Sequence, residues 1–320
     1  EINMNILIRC DSSNIIGTGH VMRCLNYTEY FPDYDFTFVC RDFNMNISSK
    51  IVEKNHTLIL LKHNIEPEIN NYRSWIGCNY TDEIDDIIKI LEETQYDKII
   101  FDHYGIDYLL EKEIKNRFNN TELIVISDIF DYNHYCDIFI NYNTDNILAV
   151  KSINLNENTE YHIGVENIII NKKFKESRKK EKINSKIKSI VINMGGADPA
   201  NYILKVLYKI NNYVSTNDIT VNIVVGKSNN NIESINQFIK TKNYNYIIHY
   251  DVNYDNLIDL YLNTDLAIGS LSITAYERLF LNIPQICLKI VDNQLIQQLK
   301  EFNITNIDNL MDKINELTSL

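Results

Sequence analysis

Several features that would assign this 320-residue chain to a common class of protein are missing from it. The six cysteines are scattered without a C-x-x-C pair, and the seven histidines form no pair at metal-ligand spacing. The sequence contains no apolar run long enough to span a bilayer and no secretory signal. We therefore expect reduced thiols, no bound metal, no membrane insertion and a cytoplasmic location.

Positive charge is also scarce, because 31 Lys and Arg residues face 43 Asp and Glu residues, for a net charge of -12. This balance argues against a protein that grips nucleic acid through its phosphates. It leaves open a small phosphate-bearing ligand, since helix N-termini can bind one without any cation. A hydrophobic content of 45% and a charged content of 23% are typical of a globular protein.

The length favours two domains, and the order of the predicted elements agrees. Apolar, β-rich segments alternate with helical patterns, and the alternation restarts after a polar, lysine-rich segment over residues 171–188, the expected linker. Strands that alternate with helices predict a parallel sheet covered on both faces. The sequence therefore predicts an α/β protein with two doubly wound, Rossmann-like domains, residues 4–165 and 166–320, whose last helical segment packs back. Ligands bind outside the carboxyl ends of such strands, so the expected site is a cleft between the domains.

The first polar motif, Gly17-Thr18-Gly19-His20, follows a buried strand and precedes a helix. A dinucleotide fingerprint would need a glycine where Met22 stands, so no NAD or other cofactor is expected. The positive end of the helix dipole disfavours an imidazolium, which predicts a neutral His20 that can act as a general base. The alternative is that His20 bonds only to nearby backbone. Asp11 either accepts a bond from the other ring nitrogen or caps the loop.

Two further motifs also follow predicted strands. Phe101–Gly105 (FDHYG) places Asp, His and Tyr side chains at the edge of the expected cleft, although turn chemistry would also account for them. In Ile192–Asn201 a strand ends in Gly195-Gly196, and Pro199 opens the next predicted helix. Glycines and a helix end are typical of a phosphate cradle, although a plain turn looks the same.

The last motif lies in the segment AIGSLSITAYERLFLNIP, residues 267–284. Ser272 and Thr274 stand near a predicted helix start, and Glu277 follows on its first turn. A carboxylate there can accept two hydrogen bonds from a ribose diol, or it can complement the dipole of its own helix. The placement of all these motifs after parallel strands favours a functional role.

A wider set of residues carries a family resemblance across about residues 4 to 300: Asp11-Ser12-Ser13, Ile16–His20, Arg23, Asp102–Gly105, Cys136-Asp137, Gly195-Gly196, Asp198, Glu277-Arg278, Pro284 and Asn293-Gln294. In these residues the chain resembles the UDP-sugar hydrolases of pseudaminic acid biosynthesis. That family acts on UDP-2,4-diacetamido-2,4,6-trideoxy-β-L-altropyranose and is similar to GT-B glycosyltransferases such as the N-acetylglucosaminyl transferase of peptidoglycan synthesis. The chain departs from the family pattern at Ser127, Asn167, Asn171 and Ser272.

The resemblance implies a GT-B fold and a metal-independent, inverting hydrolysis in which water replaces the acceptor sugar. His20 would activate the water, Gly195 and Gly196 would hold the diphosphate, and Glu277 would bind the ribose. The predicted catalytic residues are His20, Tyr104, Asn293 and Asp11. The predicted substrate-binding residues are Gly17, Gly19, Arg23, His103, Gly195, Gly196, Ser272, Thr274, Glu277 and Gln294.

Three alternatives use the same fold: a glycosyltransferase with a UDP-amino-sugar donor, a nonhydrolysing 2-epimerase, and a nucleotide-sugar-binding module without turnover. No basic amphipathic patch for membrane docking is evident in the N-terminal domain, which argues against the transferase. A binding module would keep Glu277 and the glycines but would not need a neutral His20. The expected partners are the UDP-sugar substrate, other enzymes of the pathway, or a fused domain to which residues 1–3 are the linker if they are not a cloning remnant.

Overall fold

The computed structural model describes residues 3–177, 186–196, 198–227, 229–242, 245–290 and 302–318. The chain divides into two compact units, residues 1–171 and 172–320. The described strands of the first unit are β1 (Asn5–Cys10), β2 (Asp35–Arg41), β3 (Thr57–Leu61), β4 (Lys98–Asp102), β5 (Glu122–Ile126), β6 (Ile138–Asn141) and β7 (Glu160–Ile163). They form one parallel sheet in the order β3-β2-β1-β4-β5-β6-β7.

The central strands of this sheet are buried on both faces because apolar side chains occupy successive positions, which point to opposite faces. Ile6 and Ile8 of β1 pack into one core and Leu7 into the other. Continuous apolar runs of this kind are typical of parallel strands covered by helices. The described helices are α1 (Gly19–Thr28), α2 (Ser49–Glu53), α3 (Tyr80–Glu93), α4 (Tyr108–Arg117) and α5 (Ile147–Ser152), with short 3-10 helices at Tyr72–Ile76 and Val165–Asn167.

The second unit repeats the doubly wound arrangement with a smaller sheet. Its described strands are β8 (Ser189–Asn193), β9 (Thr220–Val225), β10 (Tyr246–Tyr250), β11 (Leu266–Ser270), β12 (Gln285–Leu288) and β13 (Ile304–Thr305). They are parallel and follow the order β10-β9-β8-β11-β12-β13. The described helices are α6 (Lys172–Glu176), α7 (Tyr202–Asn217), α8 (Ile232–Lys240), α9 (Tyr254–Leu262), α10 (Ile273–Phe280) and α11 (Leu310–Thr318). The two predicted doubly wound sheets are thus confirmed.

Two local predictions need correction. The first residues of the expected linker form α6, in which Phe174 is fully buried; residues 178–185 lie outside the described part of the chain. Helix α7 begins at Tyr202 rather than near Pro199. The last helix, α11, packs Leu310 and Ile314 into the core of the second unit.

The register of neighbouring strands brings the polar motifs of each unit together. In the first unit Cys10 of β1 pairs with Asp102 of β4, so the segments that follow these strands meet at one edge of the sheet. In the second unit Asn193 of β8 pairs with Gly269 of β11. The glycine motif and the start of α10 therefore share the carboxyl edge of that sheet.

Candidate active site

The loop between β1 and α1 is closed by its own backbone and places His20 in the first turn of the helix. Ser13 and Gly17 exchange two backbone hydrogen bonds, and Ser13 Oγ accepts the N–H groups of Ile15 and Ile16. Gly17 has a φ of 82°, a left-handed conformation that favours glycine. A Cβ at Gly17 or Gly19 would meet nothing within 4 Å, so the space beside this loop is open.

His20 is 6% exposed and is oriented by a buried carboxyl group. Its Nδ1 lies 2.6 Å from Oδ1 of Asp102, which is fully buried. Burial would raise the pKa of Asp102, but Arg23 and His20 together hold it below its usual range. A carboxylate at Nδ1 fixes the proton on that atom and leaves the Nε2 lone pair available as a base. No described residue forms a hydrogen bond with Nε2.

This geometry excludes one of the two roles predicted for Asp11, that of orienting His20 through a ring nitrogen. The helix dipole, from which the sequence predicts that His20 is a base, is also not the whole explanation, since the ring nitrogen Nδ1 is paired with the Asp102 carboxyl group. Asp11 is instead 2.7 Å from Arg9, accepts the Arg41 N–H and pairs with Nε2 of His103 at 3.1 Å. Burial would raise the pKa of Asp11, but Arg9 lowers it to about 2. Asp11 belongs to a buried structural network.

His103 and Arg23 are predicted substrate-binding residues, but the structure commits both to the protein. His103 Nδ1 accepts the N–H of Gly105, and burial lowers the pKa of the ring. Arg23 donates through Nε and Nη2 to both oxygens of Asp102, at 2.7 and 2.6 Å, and through Nη1 to Asp128 at 3.0 Å. Both side chains therefore hold neighbouring groups in place and do not present free atoms to a ligand.

Tyr104 contacts His20 directly and belongs to an aromatic cluster that the sequence predictions missed. The two rings meet edge to face with centroids 4.6 Å apart, and Tyr104 stacks on Trp75 at 5.6 Å. Trp75 lies in the 3-10 helix, which approaches so closely that a Cβ at Gly105 would be 2.5 Å from the carbonyl oxygen of Tyr72. The one available signal was that Trp75 is the only tryptophan in the chain.

In the second unit the glycine motif is open, but the adjacent helix end is already capped. Gly195 has a φ of 86°, and a Cβ at Gly195 or Gly196 would meet nothing within 4 Å. The Asp198 carboxyl group accepts the N–H groups of Tyr202 at 2.7 Å and Ile203 at 2.9 Å. The start of α7 is thus occupied by a carboxyl group of the protein itself, and the predicted use of this helix end by a phosphate is wrong. The Gly195 N–H donates to Asn193 Oδ1 at 2.9 Å, which leaves the Gly196 N–H as the candidate anion donor of this motif.

Helix α10 offers the alternative helix end beside these glycines. Ser272 is its N-cap residue but makes no capping bond; its hydroxyl lies 2.9 Å from that of Ser270 and 3.0 Å from that of Thr274. The first turn of α10 therefore keeps backbone N–H groups that a ligand oxygen can use. Ser272 and Thr274 lie where the sequence prediction placed them, at the start of this helix.

Glu277 is 4% exposed and its carboxyl group forms no hydrogen bond with any described residue. Its neighbour Arg278 is committed elsewhere, to Gln285 at 2.8 Å and to the Ser270 carbonyl at 3.2 Å. Burial raises the pKa of Glu277 to about 8, although Arg278 opposes the rise. A buried carboxyl group without a partner is a candidate acceptor for ligand hydroxyls. Asn293 and Gln294, the other predicted site residues, lie outside the described residues.

The raised pKa of Glu277 predicts a pH-dependent cost in stability. Between the ordinary pKa of 4.5 and about 8 the unfolded chain has lost a proton that the folded protein keeps. The folded protein therefore carries no penalty from Glu277 below pH 4.5, and it loses stability as the pH rises from 4.5 toward 8. We expect Glu277→Gln to gain stability over the wild type by up to about 1.4 kcal/mol per pH unit across this range.

Urea unfolding of both proteins at several pH values measures this difference. Glu233→Gln, at an exposed position of α8, is the matched control and should follow the wild-type profile. Parallel profiles for Glu277→Gln and the wild type would contradict the assignment.

The described residues contain no group of three or more His, Cys, Asp or Glu side chains that could hold a metal ion. All six cysteines are free and buried. In the part of the chain that the structure covers, no helix is both long and apolar enough to cross a membrane.

No protein-family model matches the chain. Among curated proteins, the uncharacterised protein MJ1062 of Methanocaldococcus jannaschii is 28% identical over 89% of this chain, which spans only 55% of that protein's length. The UDP-2,4-diacetamido-2,4,6-trideoxy-β-L-altropyranose hydrolase of Campylobacter jejuni is 24% identical, with 89% of this chain and 92% of the hydrolase aligned. The spore coat polysaccharide biosynthesis protein SpsG of Bacillus subtilis is 22% identical over 91% of this chain and 79% of its own length.

Solved structures share the architecture at low identity. The glycosyltransferase of kitacinnamycin has a TM-score of 0.62 at 10% identity and covers all of this chain and 92% of its own. MurG of Acinetobacter baumannii has a TM-score of 0.60 at 10% identity, with 99% and 90% of the two chains covered. The UDP-GlcNAc 2-epimerase of M. jannaschii has a TM-score of 0.54 at 13% identity, with 98% and 92% covered. The chain therefore has the GT-B fold, as its sequence predicts.

Proposed function

We propose that this protein hydrolyses UDP-2,4-diacetamido-2,4,6-trideoxy-β-L-altropyranose to UDP and the free sugar, by attack of water at the anomeric carbon with inversion. The observation that carries the proposal is the pair formed by His20 and Asp102, 2.6 Å apart, which leaves Nε2 of a nearly buried imidazole as an available base. The likeness to the C. jejuni hydrolase supports the choice of substrate, and it extends over nearly the whole of both chains.

The proposed reaction is a single displacement. The water oxygen bonds to the anomeric carbon, its proton passes to Nε2 of His20, and the bond from that carbon to the β-phosphate oxygen breaks with its electron pair leaving on UDP. Asp102 stabilises the imidazolium that forms, and Arg23 holds Asp102 in place through two hydrogen bonds. One base suffices for inversion, so no second carboxylate nucleophile is needed.

The second unit would hold the nucleotide. We assign the diphosphate to the backbone N–H group of Gly196, beside the Gly195 turn, and to the uncapped first turn of α10 with Ser272 and Thr274. Neutralising the diphosphate in this way makes UDP a better leaving group. The partnerless carboxyl group of Glu277 would accept the ribose hydroxyls.

The test is incubation of the protein with this UDP-sugar in the presence of a metal chelator, without any acceptor, while UDP and free sugar are followed by NMR. We expect stoichiometric release of both, first as the inverted anomer. A glycosyltransferase would use the same base on a sugar hydroxyl, so it would bind the UDP-sugar and release UDP only once an acceptor is added. Binding without release under either condition would indicate a module that only holds the nucleotide. An epimerase would instead convert the UDP-sugar to its 2-epimer.

A further inference from the structure

Asp128 follows β5 and has one oxygen in use and one without a partner. Its Oδ2 accepts the Tyr104 hydroxyl at 2.8 Å and the Arg23 Nη1 at 3.0 Å. The side chain is only 9% exposed, and its Oδ1 is buried and forms no hydrogen bond with the described residues. Both partners of Oδ2 also contact the proposed catalytic pair: the Tyr104 ring packs against His20, and Arg23 donates to Asp102.

A second aspartate in the same unit shows how such a group is satisfied when its role is structural. Asp107 also pairs with an arginine and a tyrosine, but its Oδ1 accepts from Tyr80 and from the Leu109 N–H, and its Oδ2 accepts from Arg73. Both oxygens of Asp107 therefore have partners, and the residue caps α4. Asp128 departs from this pattern, because its Oδ1 has no donor among the described residues.

The missing hydrogen bond at Asp128 Oδ1 costs free energy, since a buried acceptor without a donor has lost its bonds to water and gained none. Native proteins leave few such atoms, and each calls for a missing partner. Two other buried polar atoms without partners, Arg9 Nη2 and Arg41 Nε, belong to the network around Glu83. Asp128 Oδ1 differs from these two in that its carboxyl group contacts Tyr104 and Arg23, which lie beside His20 and Asp102.

We propose that Asp128 Oδ1 accepts a hydrogen bond from an N–H or O–H group on the sugar ring of the substrate and so selects the sugar. This inference rests on the proposed function. A carboxylate paired with Arg23 can only accept, so it favours a ring that presents a donor and disfavours one that presents a carbonyl or ether oxygen. The diacetamido sugar offers two amide N–H groups and one ring hydroxyl. Tyr104 cannot replace Asp128 here as an outward donor, because its own proton is directed to Oδ2.

The test is Asp128→Asn in the hydrolysis assay. The amide oxygen can still accept from Arg23 and Tyr104, which places the NH₂ group where Oδ1 was and turns an acceptor into a donor. We expect KM to rise by at least about tenfold while the affinity for UDP alone stays within about twofold of the wild-type value. Asp137→Asn is the matched control, since Asp137 pairs with Lys115 and the Leu123 N–H at the opposite edge of the same strands. Its KM should not change.

A 3-deoxy analogue of the sugar identifies the donor. If the difference between wild type and Asp128→Asn disappears with the analogue, the hydroxyl is the partner; if it persists, an amide N–H is. Should Asp128→Asn not fold, Asp128→Glu keeps the charge beside Arg23, displaces the oxygens and should raise KM in the same way. An unchanged KM in an active enzyme would overturn this inference alone, as when a bound water satisfies Oδ1, and so would an equal loss of UDP affinity. An inactive wild-type protein would contradict the proposed function and this inference with it.

Discussion

His20→Asn should lower kcat for release of UDP by about 10³-fold, the scale of losing a general base. The amide can still donate a hydrogen bond to Asp102, so the buried pair is replaced and not simply broken. It has no lone pair on nitrogen to take the proton of the attacking water. Single-turnover release of UDP measures the loss, and UDP affinity, measured by calorimetry, should stay within about twofold because the nucleotide is assigned to the other unit.

The chain offers a close control for this substitution. His134 is also nearly buried, and its Nδ1 also lies beside a buried carboxyl group, that of Glu111 at 2.8 Å. His134→Asn should therefore lower the stability of the protein without lowering kcat. If His20→Asn turned over at the wild-type rate, or if both variants lost activity equally, His20 would not be the base.

Asp102→Asn should have a comparable effect on kcat, about 10³- to 10⁴-fold, for a different reason. An amide N–H directed at Nδ1 favours the tautomer with the proton on Nε2, which removes the lone pair from the side where water would be deprotonated. The same change takes a negative charge from Arg23, which keeps Asp128 as its ion-pair partner. We expect a loss of stability of about 3 kcal/mol, at the lower end of the range for breaking a buried pair. Urea unfolding measures that loss alongside kcat.

Asp11→Asn separates the structural assignment from the sequence prediction. Asp11 is likewise fully buried beside a histidine, but that histidine is His103, whose Nδ1 is occupied by the Gly105 N–H. We expect Asp11→Asn to destabilise the protein while kcat of the folded fraction stays within a few-fold of wild type. A greater loss of kcat from Asp11→Asn than from Asp102→Asn would restore Asp11 as the partner of the base.

The sequence predicted the fold because parallel strands leave an unambiguous pattern. Segments such as Lys98–Asp102 are short, apolar and followed by helical spacing, and the chain alternates in this way twice. The carboxyl ends of the strands could then be located in the sequence. The motifs that contain His20, Asp102, Gly195 and Glu277 were found because each lies at or just after one of these strand ends. The start of α10 could be predicted from the apolar strand that precedes it, β11.

Contacts within the site could not be read from the sequence, because they depend on register and side-chain direction. Asp11 and Asp102 both follow or end a strand beside His20, and only the structure shows that Asp102 faces Nδ1. Asp198 looked like part of a phosphate loop, but its carboxyl group folds back onto α7. Trp75 reaches the site from a 3-10 helix that has no apolar period to predict it. The errors in the site concerned the partners of side chains, whereas the start of α7 and the linker that forms α6 were errors in the elements.

The most direct test of water attack at the anomeric carbon is hydrolysis of the diacetamido UDP-sugar in ¹⁸O-enriched water, with the released UDP examined by ³¹P NMR. The proposed displacement breaks the bond between carbon and oxygen, so the β-phosphate should carry no ¹⁸O. This reading does not depend on later exchange of the free sugar's anomeric oxygen with solvent. Labelled β-phosphate would show that the bond between phosphorus and oxygen breaks instead, and it would contradict the assignment of His20 as the base for attack on the sugar.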